Sequence, residues 1–341
     1  MRYRLLGRTG LYASELALGT MNYGGVGYFA NMGSLGQAEV DDQFRLAFDK
    51  GINLIDTADV YSFGKSEILV GQAIRNLGVP RDELIIATKG YVRMGKGVNQ
   101  LGLSRHNLIN AVDASLKRLQ LDHIDLYQLH GVDPLTPIEE TLSALDDLVR
   151  AGKIRYTGLC NTPGWQIVKA NGASRENGHP RFVSAQSYYS LVGRDVEREV
   201  VPALQDQQMG MLVWSPLAGG FLSGKYRTDD AKGRRAGGNF PPVEPKRGER
   251  CLQALQVVAD ELGSSPAQVA LAWLLTRSSV TSVIVGARTQ DQLLTNLSAT
   301  ELTLNKAHVF LLDEASALSA EFPGWMIQFS TQDRLTPPVK G

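Results

Sequence analysis

Four polar residues fall where three consecutive apolar runs of the chain end. Asp56, Lys89 and His130 each end one run, and Tyr61 follows shortly after Asp56. A tyrosine hydroxyl can donate a proton to a carbonyl oxygen as a hydride reaches the carbonyl carbon, but its reference pKa of about 10 is high. A nearby lysine ammonium lowers that pKa, and a carboxylate keeps the lysine charged. The quartet is therefore suited to carbonyl reduction, with Tyr61 as a candidate proton donor.

The apolar runs that would carry these residues recur eight times along the chain. None is longer than seven residues, as expected for buried parallel strands. The predicted strands are Glu15–Gly19, Ile52–Asp56, Leu84–Lys89, Asp125–His130, Ile154–Cys160, Phe182–Gln186, Gly210–Ser215 and Ser282–Gly286. Because strands that alternate with helices favour parallel pairing, we expect an α/β fold, the (β/α)8 or TIM barrel, in one domain over residues 1–341.

Amphipathic segments between the strands predict the surrounding helices. Apolar residues in these segments recur at helical spacing. The predicted helices include Gln37–Lys50, a segment that begins at Ser104, a segment around Asp291–Leu297 and another near Lys306–Leu318. Thr136 and Glu139 match the spacing of a capping box and predict one more helix start.

Several segments fall outside this repeat. Arg2–Leu6 and Leu11–Ala13 predict a hairpin that precedes the first strand and plugs the bottom of the barrel. Long loops are predicted after strands one, three and seven, at Met21–Gly36, Gly90–Leu103 and Leu217–Glu249. Since barrels keep their functional sites in the loops at the carboxyl ends of the strands, we expect these loops to surround the site.

The composition excludes several classes of partner. Lys plus Arg and Asp plus Glu both number 35, so no long-range field attracts nucleic acid or an anionic membrane. No apolar stretch is long enough for a signal peptide or a membrane span. Cys160 and Cys251 form no disulfide framework, which fits a reducing compartment. We expect a cytoplasmic protein that binds a small molecule, with its oligomeric state open.

Across almost its whole length, the chain resembles the aldo-keto reductases. The runs at 51–53 and 61–67 are similar to the bacterial and potassium-channel-β-like branches of that family. Asp56, Tyr61, Lys89 and His130 match the family's catalytic tetrad one for one. The resemblance implies that Tyr61 donates the proton and Lys89 lowers its pKa. It further implies that Asp56 pairs with Lys89 and that His130 orients the substrate oxygen.

The resemblance also implies NADP(H) as the cofactor. Asn161 and Gln186 would hydrogen-bond the nicotinamide carboxamide, and Trp214 would stack on the nicotinamide ring. The segment from Ser215 to Lys225 would line the pyrophosphate. The full set of cofactor-binding residues predicted in this way is Thr20, Met21, Asp56, Asn161, Gln186, Trp214, Ser215, Leu217, Gly219, Lys225, Gly286, Arg288, Gln292 and Asn296.

Residues after the eighth strand bear on the choice between NADPH and NADH. A phosphate site near a helix N-terminus after strands seven and eight is common in barrels. By resemblance, Arg288 would meet the 2′-phosphate of NADPH, while Gln292 and Asn296 would hold the adenine. Gly286 stands where the best-known branch has lysine, so the positive charge at this site is left to Arg288.

Other chemistries find less support in the sequence. The run at 24–27 has the wrong glycine spacing for the dinucleotide-binding fingerprint of a Rossmann fold. The five histidines show no paired ligand spacing, so no metal site is expected. Apolar and aromatic residues such as Phe29 and Trp165 in the predicted loops suit a hydrophobic or ring-containing carbonyl compound. A ring ketone, a sugar-like carbonyl and a xenobiotic carbonyl are the candidate substrates.

Reversible reduction of an aldehyde or ketone is the leading hypothesis, and two alternatives stay open. Channel-β-like proteins keep the tetrad but serve mainly as partners of another protein, so the chain also fits a redox-sensing interaction subunit with little turnover. Without the resemblance, a barrel hydrolase or isomerase that uses Asp56, Asp59 or His130 as a base is a third possibility.

Overall fold

Eight parallel strands close into a barrel behind an N-terminal hairpin, which confirms the predicted fold. The computed structural model describes residues 1–224 and 239–335. The strands are β1 (Tyr3–Leu5) and β2 (Tyr12–Ser14) in the hairpin, then β3 (Leu16–Gly19), β4 (Leu54–Asp56), β5 (Ile85–Gly90), β6 (Ile124–Leu129), β7 (Ile154–Cys160), β8 (Ser184–Tyr188), β9 (Gly210–Trp214) and β10 (Val280–Val285) in the barrel. Within the barrel, strands that are consecutive in the chain pair in parallel. β10 pairs with β3 and so closes the barrel, with Val285 opposite Leu18.

The chain also forms helices, most of which cover the outside of the barrel. Within the described residues they are α1 (Gln37–Asp49), α2 (Lys65–Leu77), α3 (Arg105–Leu119), α4 (Ile138–Arg150), α5 (Gly164–Glu176), α6 (Val200–Gln207), α7 (Pro245–Leu262), α8 (Pro266–Leu275), α9 (Gln290–Leu297), α10 (Lys306–Ala315) and α11 (Gly324–Leu335). Ser104 caps α3 as predicted, since its hydroxyl accepts from the backbone N–H of Asn107. No helix in this part of the chain is long and apolar enough to cross a membrane.

Three local predictions were wrong. The capping box at Thr136 does not form, because Pro137 is the N-cap of α4 and the Thr136 hydroxyl donates to Asp133 instead. The loop predicted to run to Glu249 ends at Glu244, whose carboxylate caps α7. Pro245, one of the prolines that suggested a loop, occupies the first turn of α7. A backbone N–H in the first turn has no partner within the helix, so its absence does not destabilise α7. The last predicted helix, α10, ends at Ala315 and not at Leu318.

The N-terminal hairpin closes the bottom of the barrel, as predicted. Leu6 and Ala13 are fully buried and pack with inward-facing residues near the amino ends of the strands, among them Leu54 and Ile85. Gly7 makes this approach possible because it adopts a positive φ of 58°, and a Cβ there would lie 2.4 Å from the Val183 carbonyl oxygen. The opposite end, where β4, β5 and β6 finish, is left for the site.

Candidate active site

A fully buried lysine joins the predicted catalytic residues at the carboxyl ends of the barrel strands. Lys89, near the end of β5, donates from Nζ to Asp56 Oδ1 at 2.5 Å and to the Thr57 carbonyl at 2.8 Å. The same Nζ lies 3.4 Å from the Tyr61 hydroxyl oxygen. Asp56 ends β4, the neighbouring strand, so strand order alone brings the carboxylate to the ammonium. The ammonium thus bridges Asp56 and Tyr61.

The charge on Lys89 is maintained by its neighbours. Burial alone lowers the pKa of an ammonium, because a charged group is disfavoured away from water. The Asp56 carboxylate opposes this effect and, with a smaller contribution from Tyr61, raises the pKa of Lys89 above its usual value. Lys89 is therefore a permanent cation at physiological pH.

The Tyr61 hydroxyl is protonated in this environment. Burial raises its pKa above the usual value, while the adjacent Lys89 ammonium acts in the opposite direction. The resemblance implied that Lys89 lowers the pKa of Tyr61. Lys89 does act in that direction, but burial raises the pKa by a larger amount. Tyr61 consequently holds a proton at neutral pH, and Lys89 is placed to stabilise the phenolate once that proton leaves.

The backbone after Tyr61 is held in an uncommon conformation. Ser62 and Phe63 both have positive φ, of 49° and 51°, in a short turn that leads into α2. Ser62 stabilises the turn, because its hydroxyl donates to the Tyr23 carbonyl at 2.7 Å. Strained residues of this kind persist only where the surrounding contacts fix them. The turn places the Tyr61 ring beside Lys89, with Nζ 4.9 Å from the ring centroid.

His130 follows β6 and meets Tyr61 edge-to-face, with ring centroids 6.0 Å apart. Burial, together with the nearby positive charge of Lys89, lowers the pKa of His130 to about 3. The imidazole is therefore neutral at physiological pH and carries one N–H donor. Its Nδ1 is buried and finds no partner in the described part of the chain. A neutral histidine next to a tyrosine hydroxyl can orient an uncharged carbonyl oxygen.

Two buried glutamines complete the surroundings of Asp56. Gln128 Nε2 donates to Asp56 Oδ2 at 3.2 Å, and Gln186 Nε2 donates to the same oxygen at 2.7 Å. Gln128 was not among the residues predicted for the site. Its position two residues before His130 was the available signal, because alternate residues of a strand share one face. Asp56 thus has three side-chain donors, one on Oδ1 and two on Oδ2.

The residues predicted for the nicotinamide lie next to this cluster. Trp214 Nε1 donates to Asn161 Oδ1 at 2.9 Å, and Asn161 Nδ2 lies 3.4 Å from the His130 carbonyl. The indole of Trp214 packs with two aromatic rings, with its centroid 5.2 Å from that of Tyr188 and 6.1 Å from that of Phe240. Asn161 and Trp214 therefore form one polar and aromatic wall adjoining His130.

The other predicted cofactor residues lie on the loops that follow β3, β9 and β10. Ser215 adopts a positive φ, and its hydroxyl accepts from the Gly219 N–H at 3.0 Å, so the turn after β9 that contains Leu217 is closed by a side chain. Thr20 is buried, and its hydroxyl donates to the Asp56 carbonyl, whereas Met21 packs beside Phe29 and Tyr61. Lys225 lies outside the described residues.

The residues predicted for the 2′-phosphate and adenine lie just before α9 and along it. Arg288 is exposed, and its guanidinium donates to the carbonyls of Asn31 and Met32 in the loop after β3. Gln292 accepts from the Arg288 backbone N–H at 2.9 Å. The remaining two members differ in exposure, since Asn296 is buried and Gly286 is exposed. Arg288 therefore ties the loop after β10 to the loop after β3.

A second buried polar cluster lies beside the tetrad. Asp59 is 2% exposed and borders a cavity of about 240 Å³ between α3 and the loop after β5. Arg118 Nε donates to the Glu67 carboxylate at 2.5 Å, and its positive charge also acts on the Asp59 carboxyl group. Burial and the Glu67 charge raise the pKa of Asp59 to about 8, with Arg118 opposing. No group of three or more His, Cys, Asp or Glu side chains among the described residues could hold a metal ion.

Asp59 should make the stability of the fold depend on pH. The folded-state pKa of about 8 exceeds the unfolded value of about 3.9, so the protonated form favours folding. Its stabilising contribution is complete below the unfolded pKa and is lost as the pH rises to 8. The difference in unfolding free energy between Asp59→Asn and the native chain should therefore shift by about 3–4 kcal/mol in favour of the variant from pH 5 to pH 8. Urea unfolding at both pH values measures this difference, and an equal offset at both would contradict it.

Comparison with known proteins agrees with the barrel fold. The family model described as "Aldo/keto reductase family" matches residues 15–317. The chain belongs to the aldo/keto reductase family. This makes it an oxidoreductase of the carbonyl-reducing kind, and the family generally uses nicotinamide cofactors.

Several aldo/keto reductases and related proteins are similar to the chain over nearly their full length. The uncharacterized oxidoreductase YrpG of Bacillus subtilis is 37% identical, over 95% of this chain and 97% of the relative. The versiconal hemiacetal acetate reductase of Aspergillus parasiticus is 33% identical, over 95% of this chain and 99% of the relative. A Schizosaccharomyces pombe protein that carries the name of a voltage-gated potassium channel subunit beta is 35% identical, over 88% of each chain.

Proposed function

We propose that the chain is an NADP(H)-dependent aldo-keto reductase that reduces a small aldehyde or ketone in the cytoplasm, reversibly, with Tyr61 as the proton donor. The observation that carries the proposal is the fully buried Lys89 ammonium, which bridges the Asp56 carboxylate and the Tyr61 hydroxyl. A lysine held as a cation at the hydroxyl of a protonated tyrosine favours transfer of the tyrosine proton to a nearby oxygen.

Each residue of the cluster has one task in this proposal. The bound nicotinamide supplies the hydride. Tyr61 transfers its hydroxyl proton to the carbonyl oxygen, Lys89 stabilises the phenolate that remains, and Asp56 keeps Lys89 charged and in place. The neutral His130 donates a hydrogen bond to the same oxygen and so fixes the carbonyl relative to Tyr61. In the oxidation direction the phenolate takes the proton back from the alcohol.

The amide groups at the barrel mouth fit a nicotinamide carboxamide. The two N–H groups of Gln186 are occupied by Asp56 and Gln128, and its Oε1 accepts no hydrogen bond from the described residues. Asn161 has the opposite arrangement, since its Oδ1 accepts from Trp214 while one N–H of Nδ2 remains for another acceptor. Gln186 thus offers an acceptor for an amide NH2, and Asn161 offers a donor for an amide oxygen.

We place the preference for NADPH in Arg288. Replacing Arg288 with alanine removes a guanidinium whose hydrogen bonds to a phosphate contribute about 1.5–3 kcal/mol, or roughly 10–100-fold in Kd. The Kd for NADPH should rise by that factor, whereas the Kd for NADH should change little. Quenching of Trp214 fluorescence measures both values. NADH is the internal control, because Arg288 also holds the loop after β3 and losing that contact would weaken both cofactors equally.

Multiple turnovers on a panel of carbonyl compounds with NADPH test the proposed activity directly. Sustained oxidation of many equivalents of NADPH per protein supports an enzyme. The similarity to a protein named for a potassium channel subunit favours a second candidate, a redox-sensing subunit that binds another protein. A single slow turnover across the whole panel would favour that candidate, and conversion of a substrate by cofactor-free protein would contradict both.

A further inference from the structure

Gln128 is a fully buried amide inside the barrel and is not itself a member of the tetrad. Its Nε2 donates to Asp56 Oδ2 at 3.2 Å, and its Oε1 lies 3.3 Å from Gln186 Nε2. The Cys160 thiol also points at Oε1, with the sulfur 3.9 Å away. A buried amide with hydrogen bonds on both of its ends is expensive to place and has one stable orientation.

The Asp56 carboxylate determines that orientation. An ionised carboxylate only accepts hydrogen bonds, so Gln128 and Gln186 must both direct their NH2 groups toward it. One N–H of Gln186 goes to Asp56 and the other goes to Gln128 Oε1. Gln128 therefore accepts a hydrogen bond from the second N–H of Gln186. This prevents the Gln186 amide from rotating about its hydrogen bond to Asp56.

We propose that Gln128 is a positioning residue that orients Asp56 and Gln186 together. It fixes the carboxylate for its ion pair with Lys89, and it leaves the Gln186 carbonyl oxygen directed toward the nicotinamide carboxamide. One buried amide thus couples the proton-donating group to the cofactor seat. This inference rests on the proposed function for the role of Gln186.

Gln128→Met tests the proposal by removing both hydrogen bonds at similar side-chain volume. We expect the Kd for NADPH, followed by Trp214 fluorescence, to rise about three- to tenfold, because Gln186 is freed. We expect kcat to fall by about 10–100-fold, because a small displacement of reacting groups has effects of that size. Gln207→Met is a matched control: Gln207 is also a buried glutamine with hydrogen bonds, but it lies at the end of α6. It should leave Kd and kcat unchanged.

Gln128→Glu separates positioning from a merely structural role. When protonated, the new carboxyl group can still donate to Asp56 and accept from Gln186. When ionised, it places a second negative charge beside Asp56, and burial and that charge both raise its pKa. We expect activity and NADPH affinity close to the native values at low pH, and a loss of both with rising pH that the native chain lacks.

The experiments on Gln128 can fail independently of the proposed function. A native chain that reduces no carbonyl compound but binds NADPH would contradict the enzyme while leaving the binding test of Gln128 intact. Native Kd and kcat in Gln128→Met would overturn the positioning role. So would a pH profile of Gln128→Glu that follows the native one, or a Gln128→Glu variant equally impaired at every pH.

Discussion

Replacing Tyr61 with phenylalanine is expected to lower kcat for carbonyl reduction by about 10²–10⁴-fold, the range attributed to a positioned general acid. Only the hydroxyl is lost, and the ring keeps its contacts with Phe29 and His130. The Kd for NADPH should therefore stay within about twofold of the native value. Steady-state kinetics with NADPH and an aromatic aldehyde, together with Trp214 fluorescence titration, measure the two quantities.

Tyr23→Phe is the matched control for this experiment. Tyr23 is fully buried on the loop after β3, and its hydroxyl has no hydrogen-bond partner among residues 1–224 and 239–335. Removing that hydroxyl should leave kcat unchanged. Native turnover in Tyr61→Phe would remove Tyr61 from the mechanism, while equal losses in both variants would indicate damage to the fold.

Replacing Lys89 with methionine is expected to abolish measurable reduction and also to destabilise the fold by about 3–5 kcal/mol. The stability loss follows from burial, because Asp56 is 2% exposed and its carboxyl group would lose the only cation that contacts it among the described residues. Gln128 and Gln186 would still donate to the carboxylate, but neutral donors do not neutralise it. Urea unfolding at pH 7 measures the loss of unfolding free energy.

A second substitution separates stability from activity. Adding Asp56→Asn to Lys89→Met removes the unpaired charge, so most of the lost unfolding free energy should return. Activity should not return, because no cation faces the Tyr61 hydroxyl. If the double variant is no more stable than Lys89→Met, the ion pair does not account for the destabilisation. If Lys89→Met still reduces carbonyls at the native rate, the bridging role of Lys89 is wrong.

The strands and the barrel could be predicted from the sequence, because short apolar runs that recur along a chain are typical of strands buried in a protein core. Every predicted strand overlaps an observed one, and no end differs by more than two residues. Predictions from single residues were less reliable where one residue type is compatible with two local structures. Pro245 breaks a helix interior but suits a first turn, and Thr136 found a better acceptor in Asp133 than the backbone of its own helix.

The convergence of Asp56, Lys89 and His130 was also predictable, because neighbouring parallel strands end at the same side of a barrel. Hydrogen bonds between distant positions were not. The contact between Gln186 and Asp56 spans 130 residues, and Arg288 reaches carbonyls more than 250 residues away. Hydrogen bonds of this kind depend on which strands and loops lie side by side or face each other in the folded barrel. Gln128 was missed for the same reason, since its importance lies in what it contacts.

Transfer of deuterium to a carbonyl substrate from NADPH in which both hydrogens at nicotinamide C4 are deuterium tests the central claim most directly. With the native chain and an activated aromatic aldehyde, mass spectrometry should find the deuterium on the former carbonyl carbon of the alcohol. Tyr61→Phe should form the same labelled alcohol about 10²–10⁴-fold more slowly. An alcohol that carries no deuterium, or labelled alcohol formed at the same rate by Tyr61→Phe, would contradict the account.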